Sequence, residues 1–128
     1  MADQKKVLAY FKNLGIAYSE LKAGMWMIQD VSGSVRNIVV HLDPPLLVLR
    51  VKMIELGEGG DYTALYKTLL QLNASEMIHG AYALEDNTVV AVDALQSETL
   101  DEQELQASID SLSFAASTHL PRLKALLA

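Results

Sequence analysis

The spacing of apolar residues along this chain changes from the period of an α-helix to that of a β-strand and back, and this change constrains the fold most strongly. Apolar residues recur every three to four positions over residues 3–15, 61–73 and 101–127. They alternate with a period of two over residues 26–29, 38–42, 47–54, 81–84 and 88–94. The first pattern predicts helices with one buried face, and the second predicts strands. The chain therefore combines helices with a sheet.

The connections between the predicted strands are short turns. Turn-forming residues occupy positions 32–34 (Ser-Gly-Ser), 43–45 (Asp-Pro-Pro) and 85–87 (Glu-Asp-Asn). A parallel crossover needs a dozen or more residues, so these strands must pair antiparallel. We predict a single α+β domain over residues 1–128, with an antiparallel sheet of about five to six strands and three helices in the order α-β-β-β(-β)-α-β-β-α.

The expected helix ends follow from capping residues. Asp3, Asp61 and Asp101 stand where an N-cap side chain accepts a hydrogen bond from the first helical turn. Asn73 is expected to end the second helix. Pro121 lies on the face of the third helix opposite its apolar stripe, so a kink or a restart is expected there while the stripe continues.

Composition and charge exclude several classes of partner. The chain has 128 residues, a net charge of −6 and no cluster of basic residues. Nucleic-acid binding is therefore not expected, because it requires grouped Lys and Arg. The absence of cysteine fits a reducing compartment. The apolar run at residues 46–49 ends at Arg50, far short of the ~20 residues of a membrane span. We expect a cytoplasmic protein that does not bind membranes.

No pattern typical of catalysis or metal binding occurs in the chain. The histidines His41, His79 and His119 stand alone, without a second ligand at the spacing of a metal site. The glycine-rich residues 57–61 lack a phosphate-binding fingerprint, and the acidic residues among them would repel phosphate. A serine nucleophile motif, G-x-S-x-G, is also missing. We predict a protein without catalytic, cofactor-binding or metal-binding residues, which is not an enzyme.

Apolar residues exceed what one buried sheet face needs. Val39, Val48 and Ile54 fall on the strand face opposite to their apolar neighbours, and Phe114 lies opposite the leucine stripe of the third helix. Helices on both sheet faces, a homodimer or a protein partner would each explain this surplus. These four residues are the candidate partner or dimer surface.

Four stretches of the chain resemble the bacterial YbjN-like family, namely residues 69–73, 80–84, 87–92 and 105–127. That family is similar in fold to the Tir-type chaperones of type III secretion systems. The resemblance implies an α+β domain, often dimeric, whose relatives are regulators of sensory transduction or chaperone-like binders without established catalytic residues.

The leading hypothesis is a non-enzymatic, chaperone-like or regulatory module that binds a polypeptide partner as a homodimer. The alternative is a small-ligand sensor or divergent enzyme with a pocket near Trp26, His41 and Tyr82. A scaffold subunit of a larger assembly is a third possibility.

Overall fold

The computed structural model describes residues 3–29 and 37–127, which form three helices and six strands. The elements are α1 (Gln4–Asn13), β1 (Tyr18–Lys22), β2 (Met25–Gln29), β3 (Asn37–Asp43), β4 (Leu46–Glu55), α2 (Thr63–Ser75), β5 (Ala81–Glu85), β6 (Thr88–Gln96) and α3 (Glu102–Ala125). The predicted α+β class and element order are confirmed, with four strands before α2. The predicted turn at residues 32–34 lies outside the described residues.

The six strands form one antiparallel sheet in the order β1-β2-β3-β4-β6-β5. Strands β1 to β4 are neighbours in sequence and in space, as expected for short turns. After β4 the chain passes through α2 and then returns as the hairpin β5–β6, whose second strand pairs with β4. Consequently β1 and β5 are the two edges of the sheet.

All three helices contribute to a core on one face of the sheet, here called the inner face. The ring of Phe11 on α1 meets Trp26 on β2 edge to face, at 5.9 Å between ring centroids. Buried residues of α2 and α3 belong to the same hydrophobic cluster as the inner-face residues of the strands. The inner-face members include Trp26, Ile28, Ile38, Val40, Leu47, Leu49, Val51, Val89 and Ala91.

A β-bulge near the end of β4 changes which side chains face the core. Lys52 pairs with Val90 and Ile54 pairs with Val89, so β4 has one residue more than β6 at this point. Both Met53 (2% exposed) and Ile54 (8% exposed) are therefore buried, and both belong to the core cluster. The prediction that Ile54 lies on the opposite face from Met53 is wrong, because strict alternation fails at the bulge.

Two of the three predicted N-caps are confirmed. The carboxylate of Asp3 accepts a hydrogen bond from the backbone N–H of Lys6 at 2.9 Å, and that of Asp101 accepts one from Glu104 at 2.8 Å. Asp61 instead precedes the N-cap residue of α2 and accepts hydrogen bonds from the backbone and hydroxyl of Thr63. These hydrogen bonds lower the pKa of Asp61, because they stabilise its charged form.

The predicted end of α2 at Asn73 is wrong, because the helix continues to Ser75. Of the two alternatives predicted at Pro121, the restart does not occur, because α3 is assigned as one helix from Glu102 to Ala125. Asn73 continues the helix because its side-chain amide bonds to β5 and does not compete for the backbone of its own helix.

Candidate protein-binding surfaces

The face of the sheet opposite the core, here called the outer face, is not covered by any of the three helices in the described part of the chain. The strand registers place the side chains at its centre in two rows. One row runs Met27, Val39, Arg50 and Val92, and the other runs Met25, His41, Val48 and Ala94. Except for the exposed Ala94, these side chains are half-buried. Val39 and Val48, which we predicted to face away from the core, lie here.

Six of these eight side chains are apolar, the exceptions being His41 and Arg50, whereas a solvent-facing antiparallel sheet normally carries polar side chains. The polar end of the outer face lies near β5, where the guanidinium of Arg50 pairs with the carboxylate of Glu85 at 2.7 Å. This ion pair spans β6, and Val90 on that strand is only 2% exposed. The apolar part of the outer face is therefore centred on β2, β3 and β4.

Phe114 lies in the helical layer, on the other side of the sheet from Val39 and Val48. Its side chain is 58% exposed and borders a surface cavity of about 260 Å³ between α3 and the segment that follows α2. We call this cavity the α3 cleft. Its lining is formed by Glu76, Met77, Ile78, His79, Asp110, Ser111, Phe114 and Ala115. The four predicted surface residues thus separate into an outer-face pair, one residue of the α3 cleft and one core residue.

A buried histidine connects the α3 cleft to β5. His119 on α3 is 1% exposed, and its Nδ1 lies 2.7 Å from the hydroxyl of Tyr82. Its Nε2 lies 3.2 Å from the carboxylate of Glu76, whose other oxygen is 3.4 Å from Arg122. Burial, followed by the nearby charge of Glu76, raises the pKa of Tyr82. Tyr82 therefore keeps its phenolic proton, and both ring nitrogens of His119 are within hydrogen-bonding distance of a partner, Nδ1 of the Tyr82 hydroxyl and Nε2 of the Glu76 carboxylate.

The edge of β5 that has no neighbouring strand is hydrogen-bonded to the side chain of Asn73. The backbone N–H of Tyr82 donates to Oδ1 of Asn73 at 2.7 Å, and Nδ2 of Asn73 donates to the carbonyl of Tyr82 at 3.1 Å. The amide thereby replaces the backbone of a neighbouring strand. This contact joins α2 to the sheet and closes one position of an edge that could otherwise pair with another chain.

Sequence reasoning did not identify the environments of His119 and Asn73. For His119 a signal was present, because it lies three residues after Ala116 and four before Leu123, which is the spacing of the buried stripe of α3. For Asn73 the only signal was a polar residue inside the apolar arc of α2. Its partner lies nine residues further along the chain, in β5.

The predicted pocket near Trp26, His41 and Tyr82 is wrong. Trp26 lies on the inner face beside Phe11, whereas His41 lies on the outer face opposite Val48. Tyr82 belongs to the network around His119. The thickness of the sheet separates Trp26 from His41, so the three side chains cannot line one pocket.

Within residues 3–29 and 37–127 there is no group of three or more His, Cys, Asp or Glu side chains that could hold a metal ion. No helix in the same residues is long and apolar enough to cross a membrane.

A family model named CesT_Tir_1, which describes chaperones of type III secretion systems, matches residues 2–128. The chain belongs to this family. The sequence resembles the YbjN-like family, whose fold is similar to that of the Tir-type chaperones, and this family match confirms the expected chaperone-like fold. No curated protein shows significant sequence similarity to this CesT_Tir_1 member.

Solved structures that share this fold include the following three. A chain of the heterodimeric ExoU–SpcU complex from the type III secretion system of Pseudomonas aeruginosa matches with a TM-score of 0.69 and 19% identity, covering 93% of this chain and 95% of the other. YbjN from E. coli, described as a candidate transcription regulator, matches with a TM-score of 0.68 and 12% identity, covering 92% and 91%. A chain of the HopA1–SchA chaperone–effector complex matches with a TM-score of 0.56 and 12% identity, covering 92% and 87%.

Proposed function

We propose that this protein is a non-enzymatic, chaperone-like module that recognises a polypeptide segment of a partner protein through the outer face of its sheet. The observation that carries the proposal is the apolar centre of a sheet face that no described helix covers. A contiguous apolar surface that remains partly accessible to solvent is typical of protein interaction sites. Membership of a chaperone family supports the same role, and so does the fold shared with chains of a type III secretion heterodimer and of a chaperone–effector complex.

The side chains of the outer face suit an unfolded or extended partner. Met25 and Met27 are flexible and polarizable, so they can adapt to different apolar side chains of a bound segment. His41 and Arg50 lie between the apolar residues of the two rows and can hydrogen-bond to backbone carbonyls of the segment. This combination favours binding with limited sequence specificity, as a chaperone requires.

We further propose that the protein acts as a cytoplasmic homodimer, with α2 at the contact between the two copies. Tyr66 and Leu70 lie one helical turn apart on α2, and both side chains are exposed in the isolated chain. A second copy that packed its own α2 on this pair would bury both residues. The outer face would then remain free in each copy for the partner.

Site-specific crosslinking in the native host tests the partner-binding proposal. A benzoylphenylalanine is placed at Val48 on the outer face and, as the control, at the exposed Lys12 on α1. We expect ultraviolet light to join a discrete polypeptide to the Val48 position and to give a much weaker product from Lys12. The product should disappear when Met27 is replaced by Asp. Equal products from both positions, or none from Val48, would contradict the proposal.

Light scattering after size-exclusion chromatography tests the homodimer. The wild-type protein should elute with twice the chain mass of 14.0 kDa. Leu70→Glu should elute as a monomer, because two like charges would face each other across the contact, whereas the neighbouring Gln71→Glu should remain a dimer. A monomeric wild-type protein at micromolar concentration would refute the homodimer and leave the outer-face proposal standing.

A further inference from the structure

We propose that the α3 cleft is a second docking site, which accepts one apolar side chain of a polypeptide segment together with an adjacent lysine or arginine. The site lies in the helical layer and is separate from the outer face. The inference rests on the proposed function only in taking the partner to be a polypeptide.

The size of the cleft suits a side chain. Its volume of about 260 Å³ is below the ~300–1,000 Å³ that is usual for pockets holding cofactors or drug-sized molecules. Met77, Ile78, Phe114 and Ala115 form its apolar part. Ile78 is 86% exposed and Phe114 is 58% exposed, so a bound side chain would remove substantial apolar surface from water.

The charge of the cleft indicates which residue should lie beside the apolar one. Two carboxylates, those of Glu76 and Asp110, line it, and no lysine or arginine does so among the described residues. The charge of Glu76 is compensated by Arg122, which lies outside the lining. Asp110 accepts a hydrogen bond from Gln106 but has no cationic partner in the described part of the chain. A positive charge on the ligand therefore complements Asp110.

The wall of the cleft is held in place by the buried network. Nε2 of His119 is hydrogen-bonded to the carboxylate of Glu76 at 3.2 Å. The ring of Phe114 packs edge to face on that of His119, at 6.3 Å between ring centroids. His119 itself is held by Tyr82. A wall that is already ordered loses little conformational entropy when a ligand binds, which favours affinity.

Nuclear magnetic resonance titration with short peptides tests the proposal. The probe is an acetylated and amidated Gly-Lys-Phe-Lys-Gly peptide, added to the ¹⁵N-labelled full chain. Gly-Glu-Phe-Glu-Gly controls for charge, and Gly-Lys-Ser-Lys-Gly controls for the apolar side chain. We expect the first peptide to shift the backbone amide signals of residues 76–79 and 110–115. Binding should be about fivefold weaker for the acidic peptide, as for surface ion pairs, and weaker again for the serine peptide.

Substitutions inside and outside the α3 cleft show which residues bind the peptide. Asp110→Asn should weaken binding of the basic peptide about threefold, and Phe114→Ser should weaken it at least as much. The matched controls are Glu58→Gln and Leu21→Ser, an exposed acid and an exposed leucine outside the cleft, which should change nothing. Unchanged amide signals elsewhere in each spectrum show that the variant is folded.

Three results would overturn the proposal. The basic and acidic peptides could bind equally, the shifts could spread over the whole surface, or the cleft signals could shift with protein concentration alone. The last result would mean that a second copy of the chain fills the cleft. Because the titration does not involve the outer face, failure of Val48 crosslinking and failure of cleft binding are independent outcomes.

Discussion

Replacing Asn73 by Ala tests whether the side-chain contact with β5 stabilises the fold. The substitution removes two hydrogen bonds to the backbone of Tyr82, with lengths of 2.7 and 3.1 Å. Each such hydrogen bond contributes about 1 kcal/mol net to the free energy of unfolding. Ala has the better helix propensity and offsets about 0.5 kcal/mol of the loss. The expected decrease is therefore about 1.5 kcal/mol.

The change is large enough to measure by urea and thermal unfolding. For a domain of this size, 1.5 kcal/mol corresponds to a decrease of about 6 °C in Tm. The fluorescence of Trp26, the single tryptophan, reports the unfolding of the core. The matched control is Asn13→Ala, which removes one exposed hydrogen bond to Glu102 and should change stability by less than about 0.5 kcal/mol.

Equal effects of the two substitutions would refute the reasoning, and so would a decrease below about 0.5 kcal/mol for Asn73→Ala. Either result would mean that water replaces the amide at the β5 edge without cost. A second readout is association, because an edge strand with free backbone groups can pair with another chain. Light scattering should show larger species for Asn73→Ala only.

Three further predictions concern the core, the buried hydrogen bonds of Tyr82 and His119, and the N-cap of α3. Ile54→Ala should lower the free energy of unfolding in urea by about 2–4 kcal/mol, because Ile54 is buried. Val48→Ala on the outer face should lower it by less than about 1 kcal/mol. Similar decreases for the two variants would contradict the burial of Ile54 by the β-bulge. Because burial raises the pKa of Tyr82 above its usual value of about 10, the contribution of Tyr82 to the free energy of unfolding should be constant below pH 10 and fall by up to about 1.4 kcal/mol per pH unit above it. Tyr82→Phe has no phenol to titrate, so the difference in the free energy of unfolding between the wild type and this variant should become smaller between pH 10 and 11. A difference that stays constant over this range would refute the raised pKa of Tyr82. Asp101→Ala should cost about 1 kcal/mol through loss of the N-cap, and an unchanged urea midpoint would show that the cap is not stabilising.

Features governed by local chemistry could be predicted from the sequence. Asp3 and Asp101 cap helices because the accepting oxygen and the donating N–H are three residues apart. The alternation of apolar residues placed Val39 and Val48 correctly on the face away from the core. In both cases the relevant period or spacing is contained within one element.

Features that depend on partners distant in the chain could not be predicted in the same way. Met53 and Ile54 are both apolar, so alternation alone does not reveal the bulge that buries both. Asn73 looked like a helix end because its hydrogen-bonding partner in β5 is invisible in the local pattern. His119 has the spacing of the buried residues of α3, which indicates burial. Histidine is not usually fully buried, however, so the residue type argued against the burial that the spacing indicates.

The methionines allow the central claim, that the outer face binds a polypeptide segment, to be tested directly. Methyl-¹³C labelling gives separate signals for Met25 and Met27 on the outer face, Met53 in the core and Met77 in the α3 cleft. The ligand is a synthetic peptide of the segment crosslinked at Val48. We predict that the methyl signals of Met25 and Met27 shift while that of Met53 stays in place. Unchanged signals of Met25 and Met27 with saturating peptide would contradict the claim.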